Sequence, residues 1–178
     1  MPSHIRSLGS LALALIATMS VTMSSPSAQA GDAAPVGGRF SCKNDEEHKN
    51  RVDGDPAHEL ILLRSKCDGR ASGASARFDG GQVVMVELDD LVRGNGTLRG
   101  YDHIKYPDGS VQMDSYIGQQ TTTVVNGKQE WTAVGTWEQT AGTRGLAGAH
   151  LRGTWTAKST SETEYVIDWE GAPAEITP

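Results

Sequence analysis

The stretch Gln129–Lys158, QEWTAVGTWEQTAGTRGLAGAHLRGTWTAK, decides the fold. In its first part Trp131, Ala133, Gly135 and Trp137 share one face, and Glu130, Thr132, Thr136 and Glu138 share the other. In its second part Leu151, Gly153, Trp155 and Ala157 oppose Arg152, Thr154, Thr156 and Lys158. Period-two alternation of this kind marks strands with one buried and one solvated face. A glycine-rich connection joins the two, so the stretch reads as a pair of antiparallel strands.

Working outward, turn signals recur at short intervals on both sides. Asp53-Gly54-Asp55-Pro56, Asp68-Gly69, Asp79-Gly80-Gly81, Arg93-Gly94-Asn95-Gly96, Pro107-Asp108-Gly109 and Asn126-Gly127 separate strand-like runs. Those runs are His58–Cys67, Arg70–Phe78, Gln82–Leu91, Thr97–Tyr106, Ser110–Gly118, Gln119–Val125 and Glu162–Trp169. The apolar run Leu60–Leu63 suggests burial on both faces at one end of its strand. Arg70–Phe78, rich in Ala, Ser and Gly, is the weakest of the strands. Arg39–Ala57 is polar and receives no strand, and its segment Asp45–Arg51 is at most one helical turn. Eight or nine short strands joined mostly by tight turns predict a single antiparallel β-barrel of about eight strands, mostly up-and-down. Closure removes the open sheet edges that invite aggregation. The barrel is expected to span residues 39–170, between a flexible leader at 31–38 and a tail at 171–178.

The N-terminus reads as an export signal spanning residues 1–30. Arg6 precedes a short apolar core, Leu11–Ala17, and Ser27-Ala28-Gln29-Ala30 places small residues where a signal peptidase reads them. The apolar run is too short for a transmembrane helix, so membrane insertion is not expected and a periplasmic or extracellular location is. Removing residues 1–30 takes one of the 16 Lys and Arg and none of the 22 Asp and Glu, moving the net charge from −6 to −7. An acidic, mixed-sign surface argues against nucleic acid as a partner. Cys42 and Cys67 are the only cysteines and lack C-x-x-C spacing, so in an oxidising compartment a structural disulfide is the economical reading.

The inner faces assigned to the last three strands collect Trp131, Trp137, Trp155, Tyr165 and Trp169, which include all four tryptophans. They alternate with Ala133, Gly135, Gly153 and Ala157. Small residues beside large ones have two readings. One is packing that fills a small barrel; the other is an aromatic-lined cavity for an apolar or cyclic ligand, with these five residues as its contacts. Catalytic candidates are Glu87, Tyr101 and His103. Glu87 continues the register of Val83 and Met85, so it ends an otherwise apolar face, where a carboxylate has a raised pKa and can shuttle a proton. Tyr101, His103 and Lys105 share one face of their strand, Asp102, Ile104 and Tyr106 the other, and the sequence leaves open which is inner. The histidines have no metal-ligand spacing, so no metal and no cofactor is expected. Glu46-Glu47-His48 and Glu87-Leu88-Asp89-Asp90 lack the ligand alternation of a calcium loop and read as solvated surface. Asn95-Gly96-Thr97 matches a glycosylation sequon and equally a turn.

The run Gly142-Thr143-Arg144-Gly145-Leu146-Ala147-Gly148, with Gly153-Thr154-Trp155 after it, resembles a motif of the allene oxide cyclase barrel-like superfamily, which includes dirigent-type proteins. In that family a similar glycine run enters the last hairpins of an eight-stranded barrel. Here Arg144 stands where a second glycine is common. The resemblance implies a hydrophobic cavity and, in the enzymes, metal-free cyclisation steered by cavity shape and one or two polar groups; it assigns no catalytic residue on this chain. Ala71-Ser72-Gly73 is similar to a patch of small periplasmic lysozyme inhibitors, whose later strands differ.

The expected function is therefore an exported barrel binding an apolar or aromatic small molecule. An isomerase or cyclase using the same cavity is the first alternative, and would need a polar group at depth such as Glu87, Tyr101 or His103. A protein-binding module with a protruding loop at Asn44–Pro56 is the second.

Overall fold

A computed structural model describes residues 35–173. The expected export signal, most of the expected leader and the end of the expected tail lie outside the described residues. Within them the chain forms β1 (Val36–Val52), β2 (Asp55–Arg70), β3 (Gln82–Val92), β4 (Asn95–Lys105), β5 (Val111–Val125), β6 (Lys128–Gly142), β7 (Leu151–Ser159) and β8 (Glu164–Pro173). Each strand pairs antiparallel with the next, and β1 pairs with β8 to close an up-and-down barrel. The eight-stranded antiparallel barrel expected from the turn spacing is the fold.

The closure comes from residues to which the sequence assigned no strand. Val36–Lys43 pair with Glu164–Gly171, so the barrel begins inside the expected leader and ends inside the expected tail. On the outer face of this seam Arg39 donates from Nε and Nη2 to the two carboxylate oxygens of Asp168, at 2.6 and 2.9 Å. Beyond Lys43, β1 continues with β2 alone as far as Val52, through a bulge at Asn44/Glu46. Both faces of that extension meet water, which is why its sequence carries charges on both faces and reads as a loop. Arg64 and Lys66 of β2 meet Asp45 across it at 2.9 and 3.0 Å. The segment Asn44–Pro56 is thus a paired hairpin.

Three other expectations change. Leu60–Leu63 alternates like any half-buried strand: Ile61 points inward, while Leu60 and Leu62 are 37% and 46% exposed on the outer face. Gln119–Val125 is the second half of one long β5. Arg70–Phe78 is not a strand, because β2 ends at Arg70 and Gly73–Phe78 forms a short 3-10 helix. Its small residues offer little to a sheet, and its one large apolar side chain, Phe78, folds into the end of the barrel.

That end is sealed. Phe78 meets Tyr106 and Trp169 edge-on, each with ring centroids 5.7 Å apart, and Phe40 stacks on Trp169 at 5.8 Å. The β6–β7 connection adds Leu146. Arg144 in this connection adopts φ 53°, the left-handed conformation that glycine prefers, and its guanidinium donates to the carbonyl of Asp108 in the β4–β5 turn. The opposite end, where the turns at Gly54, Gly94 and Gly127 lie, is the mouth. Cys42 and Cys67 stand opposite one another on β1 and β2, and their disulfide faces the interior.

Candidate functional site

The barrel encloses a cavity of about 1210 Å³ that reaches from the mouth to the aromatic floor. It exists because the indoles lie flat against the wall. Trp155 of β7 stands beside Gly135 of β6 and, one strand further, Gly118 of β5. Its ring covers both glycines, and a Cβ at Gly118 would stand 2.5 Å from its Cζ2. Its Nε1 donates to the carbonyl of Thr136 at 3.2 Å. Trp137 repeats the device across Gly153 and Gly171, and its Nε1 donates to the carbonyl of Glu170 at 3.1 Å. Both readings of small beside large thus hold in different places: glycines seat the indoles, and the space this leaves is a cavity. All five aromatic candidates, Trp131, Trp137, Trp155, Tyr165 and Trp169, line it. Trp137 and Trp169 belong to its floor, with ring centroids 6.1 Å apart, while Trp131 packs against Tyr165 at 5.4 Å nearer the mouth.

The opposite wall is acidic. Glu87 and Asp89 of β3, Asp102 of β4 and Asp114 of β5 all line the cavity. Glu87 is therefore interior, as its register implied. Tyr101 and His103 are not: both point outward, Tyr101 with 68% of its surface exposed, so neither reaches the cavity. Their face was undetermined in the sequence; the structure puts Asp102, Ile104 and Tyr106 inside instead.

The carboxyls form two pairs. Asp102 and Asp114 are directly opposed in the β4–β5 ladder. Tyr106 Oη donates to Gln112 Oε1 at 3.2 Å, and Gln112 Nε2 donates to both oxygens of Asp114 at 3.0 and 2.7 Å. Burial pushes Asp114 up to about 7, although hydrogen bonds from Gln112 and Asp102 favour its ionised form. Burial and then the charge of Asp114 drive Asp102 well above the usual carboxylate range. Asp102 therefore holds the proton and Asp114 accepts it. Glu87 and Asp89 follow the same logic. Burial, then the charge of Asp89, raises Glu87 strongly; burial raises Asp89 to about 6 against a hydrogen bond from Glu87.

Tyr116 of β5 joins the Glu87–Asp89 pair. The register runs Glu87, Gly100, Tyr116 across three strands. Because Gly100 has no side chain, the Tyr116 phenol lies over it toward β3; any Cβ there would collide with Tyr116 Oη. Burial, then the charge of Glu87, raises the Tyr116 phenol, which stays protonated. Its Oη makes no hydrogen bond, nor do Asp89 Oδ1 and Asp102 Oδ1. Chemically the site presents proton donors and acceptors at graded affinity beside an aromatic wall.

Sequence reasoning passed over Asp89, Asp102, Asp114, Gln112 and Tyr116. Their signal was register: Val83, Met85, Glu87 and Asp89 are one face, and Gln112, Asp114 and Tyr116 another. Asp89 read as solvated surface because of its charge, and the face of Asp102 was left open. Among the described residues no group of three or more His, Cys, Asp or Glu is arranged to hold a metal ion. Comparison of the chain with protein-family models, curated proteins and solved structures returned no match.

Proposed function

We propose that this protein is an exported barrel that binds a small molecule with an aromatic or apolar frame in its cavity. The observation that carries the reading is the cavity itself: it opens at one end, is floored by an aromatic cluster, and is lined by tryptophan on one side and hydrogen-bonding groups on the other. Its volume suits a ligand of metabolite size. Two supports bear on export: the disulfide belongs to an oxidising compartment, and among the described residues no helix is long and apolar enough to cross a membrane. The glycine run's resemblance to the allene oxide cyclase barrel-like superfamily is consistent with this reading.

Native mass spectrometry of the purified protein, with tryptophan fluorescence during titration of an apolar probe, tests it. A co-purified small molecule, or saturable quenching lost in Trp155→Ala without unfolding, is the expected result. No bound molecule and no quenching by any apolar probe sinks the proposal.

A second reading is favoured by one observation. Glu87, Asp89 and Tyr116 place a proton donor and acceptors beside the cavity, which a metal-free isomerase or cyclase requires. In that reading Asp89 removes a proton from the bound substrate and Glu87 or Tyr116 returns one. Turnover of a bound ligand that is abolished in Asp89→Asn while binding persists distinguishes the enzyme from the carrier.

A further inference from the structure

We propose that the cavity's ligand is an organic cation, a protonated amine on an aromatic or alicyclic frame, its ammonium seated among Glu87, Asp89 and Tyr116. The inference rests on the cavity reading above and adds the chemical class of the ligand.

Charge is the first argument. The lining carries eight Asp and Glu side chains, of which Glu87 and Asp102 keep their protons, against two lysines, Lys49 and Lys128, and no arginine or histidine. The low-dielectric walls of such a cleft concentrate one sign of potential within it. An anionic ligand is repelled by that potential.

Unmet hydrogen bonding is the second, and it is independent of the acid count. Tyr116, a neutral phenol 5% exposed, is one of the cavity's lining residues, and its buried Oη has no hydrogen-bond partner. Asp89 is equally buried, and its Oδ1 also lacks one. Buried polar atoms are normally paired, so groups left unpaired in a cavity mark where a ligand's polar atoms go. Asp89 Oδ1 is an acceptor, and Tyr116 Oη accepts through its lone pairs while its own O–H donates. An ammonium brings three donors and a positive charge, so it satisfies both acceptors and offsets the carboxylate together. A neutral hydroxyl brings one donor and no charge, leaving Asp89 beside Glu87 and Glu47 uncompensated.

The third argument is the facing wall. Trp131, Tyr165 and Trp155 present ring surfaces to the same space. Aromatic faces attract cations through the ring quadrupole and pack an apolar frame as well.

The test is calorimetric titration of the purified protein at pH 7.5 with 2-naphthylmethylamine and with its neutral counterpart 2-naphthylmethanol. The amine is expected to bind more tightly by about ten-fold or more, the equivalent of about 1.4 kcal/mol. Asp89→Asn is expected to remove that preference, whereas Glu87→Gln, a neutral amide in place of a protonated carboxyl, is expected to keep it. Asp89→Asn deletes a buried charge, and thermal unfolding checks that each variant remains folded. Equal affinity for the two probes, or preference for the alcohol, overturns the inference and leaves the cavity reading standing, with a polyol or other neutral ligand in its place. Binding of neither probe, together with no molecule in native mass spectra, overturns both.

Discussion

Asp102 of β4 and Asp114 of β5 are opposed neighbours in the barrel ladder with both carboxyls inside the cavity. Two like charges at that separation cannot both ionise without a large cost, so the pair keeps a proton at pH values where the unfolded chain has lost both. The same is true of Glu87 and Asp89. The interior therefore behaves as a weakly acidic buffer built into the fold.

Its consequence is a stability that falls as pH rises. Between about pH 4, where unfolded carboxyls ionise, and the folded values of about 6 for Asp89 and about 7 for Asp114, the native state binds more protons than the unfolded state. Stability in that window declines by about 1.4 kcal/mol per pH unit for each retained proton. Asp168, held low by Arg39, works in the other direction only in more acidic solution. Urea unfolding at intervals from pH 4.5 to 8 should show the decline, and Asp102→Asn should flatten it. A midpoint that rises with pH across this range contradicts the assignment of inward-facing shared protons.

The seating of Trp155 on glycine yields a packing prediction. A methyl group at Gly118 would stand 2.5 Å from Trp155 Cζ2 and 2.6 Å from Cη2. Gly118→Ala should cost about 1–3 kcal/mol by overpacking. Because the two tightest contacts are with that ring, the Val134 carbonyl oxygen following at 2.8 Å, combining it with Trp155→Leu should cost less than the sum of the single variants. Additive costs would mean the indole does not lie over that strand.

Trp131 and Trp137 should separate function from stability. Trp137 is buried in the floor among Trp169, Gly153 and Gly171. Its replacement by Ala should destabilise the barrel by about 3–5 kcal/mol. Trp131 is only partly buried, near the mouth. Trp131→Ala should cost less stability than Trp137→Ala and reduce probe affinity. Equal destabilisation by the two variants would place Trp131 in the core.

Removal of the Cys42–Cys67 disulfide should destabilise the protein by roughly 3 kcal/mol, the loop-closure value for a separation of 25 residues. Comparing urea midpoints of the oxidised protein and the Cys42→Ser, Cys67→Ser variant measures it. An unchanged midpoint would show that the β1–β2 ladder alone restrains these strands.

Tyr101 and His103 supply a control. Both sit on the outer face, away from the cavity. Tyr101→Ser and His103→Ala should shift stability by no more than about 0.5 kcal/mol and leave probe binding unaltered. Loss of binding in either would mean that the outer face of β4 communicates with the interior.

By itself the sequence determined the class of fold, a strand count of about eight, most of the turns, and the inner face of the last three strands. It could do so because Trp131 to Trp137 and Leu151 to Ala157 alternate small and aromatic residues against threonine and charge, and period two has one physical meaning in a strand. The position of Glu87 was legible for the same reason. What only the tertiary structure decided is the closing strand and the acidic wall. Asn44–Val52 is polar on both faces beyond the rim, so no local pattern distinguishes it from a loop; the pairing of Val36–Lys43 with β8 is a long-range choice. Likewise Asp89, Asp102 and Asp114 carry the residue type that normally faces water. Closure of the barrel turned that water-facing chemistry inward, where neighbours share protons between them and Gly100 lets Tyr116 lie beside Glu87.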